Sequence, residues 1–254
     1  MALITVRDVS IRFNGPPLLD GVSCQIEAGQ KIGLLGRNGA GKTTFMRILV
    51  GQTKPDEGES TIAPDAKAAL LPQEVPRSLS GSVEHVVSSA LPELAEDRRW
   101  ENHRRLDKIL RQMELDAAAQ VETLSSGMKR RVVLARTLVA EPDVLLLDEP
   151  TNHLDMDAIA WLEKFLKRWS GTLVFVTHDR MFLRNTAERI LEVDRGKLFD
   201  WSCDYDTFLK RKEAALDAEE KQQALFDKKL AAEEAWIRQG VKARRTRNEG
   251  RVRA

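Results

Sequence analysis

The chain has 254 residues, of which 42% are hydrophobic and 31% are charged, and its formal net charge is +1. The length allows one large domain or one domain with an appendage. Because the net charge is close to zero, the overall charge gives no argument for a nucleic-acid partner. Cys24 and Cys203 provide neither a disulfide framework nor metal-ligand spacing. The first residues lack signal-peptide features, and no apolar run approaches the ~20 residues of a membrane span, so we expect a cytoplasmic protein.

Strands and helices alternate along most of the chain. The apolar patterns predict strands at 2–13, 22–26 and 31–36, then a helix over 42–50 that ends in a turn at 55–58. Further on they predict helices over 82–115, 128–140 and 157–169, strands over 144–147 and 173–177, and a hairpin formed by 190–193 and 197–199. In the helix over 157–169, the residues predicted to face inward are Ile159, Leu162, Phe165, Leu166 and Trp169. Buried strands alternating with helices predict an α/β core.

The composition changes after about residue 205 to the Ala, Glu, Lys, Gln and Arg mixture of a long solvated helix. We therefore predict two domains, 1–204 and 205–254. Apolar residues of the second recur at multiples of seven, namely Leu209, Leu216, Leu230 and Ile237. The second heptad position that a coiled coil needs to be apolar is mostly charged here. This helix therefore has only half of a coiled-coil interface and needs a specific partner helix. The chain stops inside a basic stretch without a helix-ending signal, and we interpret it as cut short.

A glycine-rich loop links the predicted strand 31–36 to the predicted helix 42–50. It matches the P-loop pattern at every defined position, with Gly36, Arg37, Asn38, Gly39, Ala40, Gly41, Lys42, Thr43 and the following Thr44. Its glycines let backbone N–H groups face phosphate oxygens, and the helix adds its positive end. Lys42 is expected to neutralise the β- and γ-phosphates of ATP, and Thr43 to ligate Mg²⁺. The alternative is a structural turn, but the strand–loop–helix context favours ATP binding.

Two adjacent acids, Asp148 and Glu149, end the apolar strand over 144–147. Neighbouring residues at a strand end point in different directions, so one can hold a metal ion while the other faces an attacking water. We assign Asp148 to Mg²⁺ and Glu149 to the general base. The alternative is that both acids only cap the next turn, and the P-loop makes ATP hydrolysis the stronger interpretation.

The order of these motifs resembles the ATP-binding cassette (ABC) ATPases: P-loop, Gln73, Leu124–Gly127, acidic strand end, and Thr177–Arg180. The run Glu149–Asp155 and the basic tail 236–253 are similar to the ABC-F branch, whose members carry two cassettes, lack a membrane domain and mostly act on ribosomes. The resemblance covers the whole chain. It implies an ABC-type P-loop cassette with a β-subdomain, a RecA-like core and a small helical subdomain at about 74–140, followed by a long α-helical linker arm.

The resemblance also implies roles for single residues. Phe13 occupies the position that stacks on adenine, although a core strand residue is the alternative. Gln73 matches the glutamine that senses Mg²⁺ and the attacking water, and otherwise would be a surface loop residue. His178 matches the histidine that contacts the γ-phosphate, where a structural histidine is the alternative. Asp155 matches the acid that communicates across the interface between two cassettes.

The segment Ser125, Ser126 and Gly127 matches the signature motif, which in ABC proteins binds the γ-phosphate of ATP held by the opposite cassette. Ser126 departs from the family, because it stands where glycine is usual and adds a side chain at a close backbone approach. Met128 also replaces a more usual glutamine or tryptophan. Each ATP site is shared between two cassettes, so either two copies pair or a missing second half completes the site. We expect the isolated chain to bind ATP and to hydrolyse it slowly.

The tail is expected to bind nucleic acid through its phosphates. It contains seven cations and one anion, Glu249, whereas the rest of the chain is net negative. The cations are Arg238, Lys242, Arg244, Arg245, Arg247, Arg251 and Arg253. The alternative is a solvated helix whose charges only maintain solubility.

Three functions follow from the resemblance. The first is a translation factor whose nucleotide-driven closure controls contact with the ribosome, its RNA and tRNA. The second is an ATP-dependent DNA-binding protein in genome maintenance. The third is the ATPase subunit of a membrane transporter, against which the Glu149–Asp155 run and the basic linker both argue.

Overall fold

The computed structural model describes residues 2–13, 15–71, 79–92, 95, 98–152, 154–215 and 217–218. The chain divides into two compact units, Met1–Tyr205 and Asp206–Ala254. In the second unit residues 206–215 and 217–218 are helical. The predicted coiled-coil seam beyond residue 218 and all seven cations of the tail lie outside the described residues. No helix within the described ranges is long and apolar enough to cross a membrane.

The strands of the first unit are β1 Ala2–Arg12, β2 Pro17–Glu27, β3 Lys31–Gly36, β4 Glu57–Ile62, β5 Ala68–Leu71, β6 Val144–Asp148, β7 Thr172–Val176, β8 Arg189–Asp194 and β9 Lys197–Trp201. Over the described residues they form an antiparallel sheet of order β2-β1-β4 and a larger sheet of order β5-β6-β7-β3-β8-β9. In the larger sheet, β5, β6, β7, β3 and β8 are parallel, and β9 is antiparallel to β8. The predicted α/β class is confirmed.

The helices are α1 Lys42–Leu49, α2 Val83–Ser88, α3 Arg99–Gln112, α4 Ser126–Leu138, α5 Met156–Arg168 and α6 Arg180–Thr186, with a 3₁₀ turn at Val121–Thr123. Helix α1 is held in a hydrophobic cluster that includes residues of both sheets. Phe45, Met46, Ile48 and Leu49 are almost completely buried in it. Each such side chain stabilises the fold by about 1.5–3 kcal/mol relative to exposure. This packing fixes the start of α1 against β3.

The parallel pairing places several chain segments at one edge of the larger sheet. β3 pairs with β7, and β7 pairs with β6, all in parallel. Because parallel strands end at the same edge, the segments that follow them meet there. These segments are the loop after β3, the two acids at the end of β6, and His178 after β7.

Two strands were not predicted from the sequence. β4 covers Glu57–Ile62 and begins within the turn expected at 55–58, and it is mostly exposed and polar. It pairs with β1, opposite Ile4, Thr5 and Val6, so its strand conformation depends on a distant partner rather than on its own hydrophobic pattern. β5 pairs with β6 in the larger sheet. The predicted strand at 22–26 also proves longer, because β2 begins at Pro17.

The prediction of one continuous helix over 82–115 is wrong. Among the described residues of this range the structure has two helices, α2 and α3, and Pro92 lies in the segment between them. Proline lacks an N–H donor and disfavours helical backbone at the preceding residue, so it separates the two.

The inward face predicted for the helix over 157–169 is only partly correct. Leu162 and Leu166 are buried in α5, as is Ala158. Ile159, Phe165 and Trp169 are only half-buried. The helical period identifies a broad apolar stripe, but the tertiary packing covers only one side of it.

Candidate functional site

The loop between β3 and α1 is the predicted P-loop, and two of its glycines are required by geometry. Gly36 has φ +152°, and a Cβ there would lie 2.5 Å from the carbonyl oxygen of Val193. Gly41 has φ +101°, and a Cβ there would lie 2.9 Å from the Leu18 side chain. The chain can therefore turn sharply into α1 only with glycine at these positions. The first N–H groups of α1 lack intrahelical acceptors and are available to phosphate.

Lys42 and Thr43 are the first two residues of α1. Lys42 Nζ donates hydrogen bonds to the carbonyl oxygens of Gly36, at 2.9 Å, and Arg37, at 3.1 Å. Thr43 Oγ1 donates to Asp148 Oδ2 at 2.9 Å, across 105 residues of sequence. The hydroxyl of the P-loop helix and the carboxylate at the end of β6 therefore form one polar cluster.

The Thr43 and Asp148 oxygens fit a magnesium ion. Within the described ranges, no group of three or more His, Cys, Asp or Glu side chains could hold a metal. A cation here would have few protein ligands. Mg²⁺ commonly binds one or two protein oxygens and completes its shell with water and phosphate oxygens, so it suits this donor set.

Glu149 follows β6 directly and has an uncommon backbone conformation, with φ +45°. Its N–H donates to the carbonyl oxygen of Val176 at 2.9 Å, which ties it to the end of β7. The residue is only 6% exposed. Left-handed backbone at a non-glycine residue costs free energy, and such conformations cluster at functional sites. Glu149 is therefore a carboxylate held in a defined position.

His178 contacts both oxygens of the Glu149 carboxylate. Its backbone N–H donates to Oε2 at 3.3 Å, and its ring Nε2 lies 3.3 Å from Oε1. Asp179 caps the next helix, α6, by accepting from the N–H groups of Met181 at 2.8 Å and Phe182 at 3.1 Å. The cap holds His178 at the end of β7, where it can orient the Glu149 carboxylate.

The pKa of Glu149 predicts how turnover depends on pH. Burial raises this pKa above the ordinary value of 4.5, while the nearby His178 opposes the shift and Asp148 adds to it. A general base acts only when ionised, so we expect ATP turnover to be full above the raised pKa and to fall as pH drops through it. The measurement is the turnover rate at saturating ATP across acidic and neutral pH. Circular dichroism over the same range controls for unfolding, and an acidic limb at or below pH 4.5 would contradict the assignment.

These residues line one open pocket of about 410 Å³. Its lining residues are Leu18, Asn38, Gly39, Gly41, Lys42, Thr43, Thr44, Asp148, Glu149, Asn152, Val176 and His178. The structure thus brings together the P-loop, both acids and the histidine. Gln73, the remaining residue predicted for this site, lies outside the described residues.

The residues predicted to bind adenine and the opposite nucleotide do not line this pocket. Phe13 follows β1 and is 61% exposed, so it is not a core residue. Ser125 caps α4 through the Met128 N–H at 3.3 Å. Ser126 is exposed and begins α4 with ordinary helical backbone, so the fold does not require glycine there. Gly127 is buried, and a Cβ on it would lie 3.2 Å from Ala158 Cβ.

Asp155 has a clear structural contact. Its Oδ1 accepts from the Ala158 N–H at 2.8 Å and caps α5. Removing such a cap costs about 1 kcal/mol, so its side chain stabilises the helix whatever else it contacts.

Arg130 is a site residue that sequence reasoning missed. It is 6% exposed, and its guanidinium donates to the backbone oxygen of Asp148 at 3.5 Å. Burial lowers the pKa of Arg130 to about 10, although the negative charge of Asp148 opposes this shift. The sequence did contain one indication that Arg130 is buried, because it lies at helical spacing from Gly127, Leu134 and Leu138, which share the buried face of α4. A buried arginine needs such partners, and this one links α4 to the acidic strand end.

The fold and the pocket define a P-loop nucleotide-binding cassette. A family model described as "ABC transporter" matches residues 19–152, and a second with the same description matches residues 191–254. The chain belongs to this family of ATP-binding cassettes, and its resemblance to the ABC-F branch is confirmed. ATP hydrolysis is the activity expected of the class.

Proteins from two bacteria illustrate the similarity. The chain is 43% identical to ATP-binding protein Uup of Escherichia coli (strain K12), over 100% of this chain and 45% of the relative. It is 38% identical to the energy-dependent translational throttle protein EttA of the same strain, over 92% of this chain and 49% of the relative. Among solved structures, cbiO1 from Clostridium perfringens, part of the ABC transporter complex cbiONQ, superposes with a TM-score of 0.71 at 25% identity, over 83% of this chain and 92% of that one. The chain spans about half the length of these curated relatives.

Proposed function

We propose that this chain binds ATP with Mg²⁺ and hydrolyses it, with Glu149 as the general base. The contact of 2.9 Å between Thr43 and Asp148 carries the proposal, because it joins the phosphate loop to the acidic strand end. Thr43 and Asp148 would hold Mg²⁺, which when bound neutralises charge on the β- and γ-phosphates.

The chain's own residues support each part of this reaction. Lys42 would exchange its two carbonyl acceptors for phosphate oxygens, next to the N–H groups at the start of α1. Glu149 accepts a proton from water as the water oxygen attacks the γ-phosphorus and the bond to the β-phosphate oxygen breaks. His178, 3.3 Å from Glu149 Oε1, orients the carboxylate. The products are ADP and phosphate.

We further propose that a complete site needs two cassettes. Ser125, Ser126 and Gly127 do not line the pocket that contains the P-loop. Ser125 and Ser126 are exposed at the start of α4, and the positive end of this helix would face a nucleotide held by another cassette. In the chain alone, two copies would pair and give slow turnover. In a longer protein, a second cassette would take that place.

The proposed partner is the ribosome, in the cytoplasm. The relative named translational throttle protein EttA supports a role in translation, and the seven cations of the tail suit RNA phosphates. Nucleotide-driven closure of paired cassettes would control this contact, since a ligand shifts a conformational equilibrium only through its differential affinity for the two states.

Co-sedimentation tests the partner. In the Glu149→Gln variant ATP should remain bound, so the closed form should accumulate. We expect this form, with ATP, to sediment with purified ribosomes and to be released when ATP is omitted. The Lys42→Ala variant, which lacks the phosphate-binding ammonium, is the matched control. Sedimentation with DNA but not ribosomes would favour the genome-maintenance function, and recovery with membranes would favour a transporter subunit.

A further inference from the structure

A second cleft lies at the edge of the larger sheet opposite the ATP pocket. Residues just before or at the start of β3, β6 and β7 contribute to it, namely Gly29, Asp143 and Thr172. The ATP pocket is formed by residues that follow the same strands. The cleft has a volume of about 840 Å³, and its walls are α3 and α5. We call it the basal cleft.

Cations line both walls of the basal cleft. Arg105 and Lys108 come from α3, and Lys164 and Arg168 come from α5. Arg105 pairs with Glu141 at 3.2 Å. Lys108, Lys164 and Arg168 are exposed, and within the part of the chain that the structure describes their side chains make no hydrogen bond or ion pair.

The other carboxylates of the cleft already have partners. Glu114 pairs with Arg131 at 3.1 Å, and Asp143 Oδ2 accepts from the Lys67 N–H at 2.8 Å. Asp143 keeps its charge, since its partner is a neutral N–H group, so the cleft has three cations without a charged partner against one such carboxylate. This leaves an excess of positive charge on a chain whose sequence before the tail is net negative. An anionic ligand would supply the missing partners.

Three half-buried aromatic side chains also line the cleft, Trp161 and Phe165 of α5 and Trp169 directly after it. Trp161, Phe165 and Trp169 recur every four residues, and the first two rings stack with centroids 5.6 Å apart and planes 9° apart. Arg131 lies 4.2 Å from the Trp161 ring centroid, and Lys31 lies 4.9 Å from that of Trp169. These contacts hold the rings in place within a positively charged environment.

We propose that the basal cleft binds single-stranded nucleic acid. Lys108, Lys164 and Arg168 would contact backbone phosphates, and a base would stack against the aromatic residues of α5. Positive grooves that also offer aromatic faces are typical of single-strand binding. An acidic peptide would satisfy the cations but would not use the rings. The proposal does not rest on ATP hydrolysis, because the cleft and the ATP pocket share no residue.

The test uses the full chain and a charge-matched control. The cleft variant combines Lys108→Gln, Lys164→Gln and Arg168→Gln. The control combines Lys54→Gln, Lys167→Gln and Arg195→Gln, which remove the same charges from exposed positions outside the cleft. Fluorescence anisotropy with labelled oligo(U) and oligo(dT), titrated at several salt concentrations, measures binding. We expect the cleft variant to bind at least about tenfold more weakly. Its slope of log K against log salt should fall by about 2, since each phosphate contact on a single strand contributes about 0.7.

The control variant should keep both affinity and slope, and ATP turnover should be unchanged in both variants. Cross-linking with an oligonucleotide containing 4-thiouridine locates the contact, and we expect adducts in the peptide that contains Trp161 and Phe165. Equal losses in both triple variants, or adducts confined to the basic tail, would overturn the proposal. Competition by polyglutamate as strong as that by oligo(U) would instead assign the cleft to an acidic peptide.

Discussion

Replacing Glu149 by glutamine is expected to lower ATP turnover by about 10²–10⁴-fold, the usual contribution of a general base. Glutamine keeps the size of the side chain but cannot accept the proton of the attacking water. ATP binding should persist, because the P-loop, Lys42 and the contact between Thr43 and Asp148 remain. The measurements are phosphate release at saturating ATP and titration with a fluorescent ATP analogue.

The matched control is Glu59→Gln. Glu59 is exposed on β4 and its ion pair with Arg7 is a surface contact of 3.6 Å. Such pairs contribute little to stability, so turnover and binding should stay unchanged. Turnover in the Glu149→Gln variant close to that of the parent chain would show that another group accepts the proton.

Replacing Lys42 by alanine should weaken ATP binding by roughly 10–150-fold. A charge-assisted hydrogen bond contributes about 1.5–3 kcal/mol, and every 1.4 kcal/mol changes a dissociation constant tenfold. Turnover at low ATP should fall in proportion. Titration with the fluorescent analogue measures the effect, and Lys54→Ala, at an exposed position outside the pocket, is the control. An unchanged affinity would contradict the phosphate-binding assignment of Lys42.

The Lys42→Ala variant also tests the sharing of sites between copies. Its P-loop is impaired, but its Ser125 is intact. A Ser125→Ala variant has the opposite defect. In a mixed pair, the intact P-loop of one copy faces the intact Ser125 of the other, so mixing two slow variants should restore part of the turnover. Failure to recover any activity would show that copies of this chain do not complete each other's sites.

The P-loop, the hairpin turn and the acidic end of β6 could be predicted from the sequence, because each depends on residues that are neighbours in the chain. The loop from Gly36 to Thr43 needs glycine at positions of positive φ, and glycine stands in the sequence at three such positions, Gly36, Gly39 and Gly41. The hairpin predicted from 190–193 and 197–199 turns at Arg195 and Gly196, and both have positive φ, at +47° and +78°. Such turns match the twist of the strands they connect. The acidic end of β6 was likewise predicted, since the strand is fully buried and continuously apolar.

Features that depend on distant partners were missed or only partly predicted. The sequence of β4 is too polar to indicate a strand by itself, and its strand conformation depends on pairing with β1. Arg130 resembles an ordinary helix cation until its contact with Asp148 is seen. Phe165 and Trp169 belong to the apolar side of α5, yet they line a cleft rather than the core. In each case the outcome depends on an element outside the residue's own helix or strand.

The sequence by itself determined which chemical groups this protein carries: a phosphate loop, paired acids, a histidine and a basic tail. Only the tertiary structure decided which of them meet. Parallel pairing of β3, β7 and β6 brings Thr43 to Asp148 and His178 to Glu149, and the same pairing forms the basal cleft at the opposite edge. The physical reason is that parallel strands require long crossover connections, so their contacts join segments that no local pattern relates.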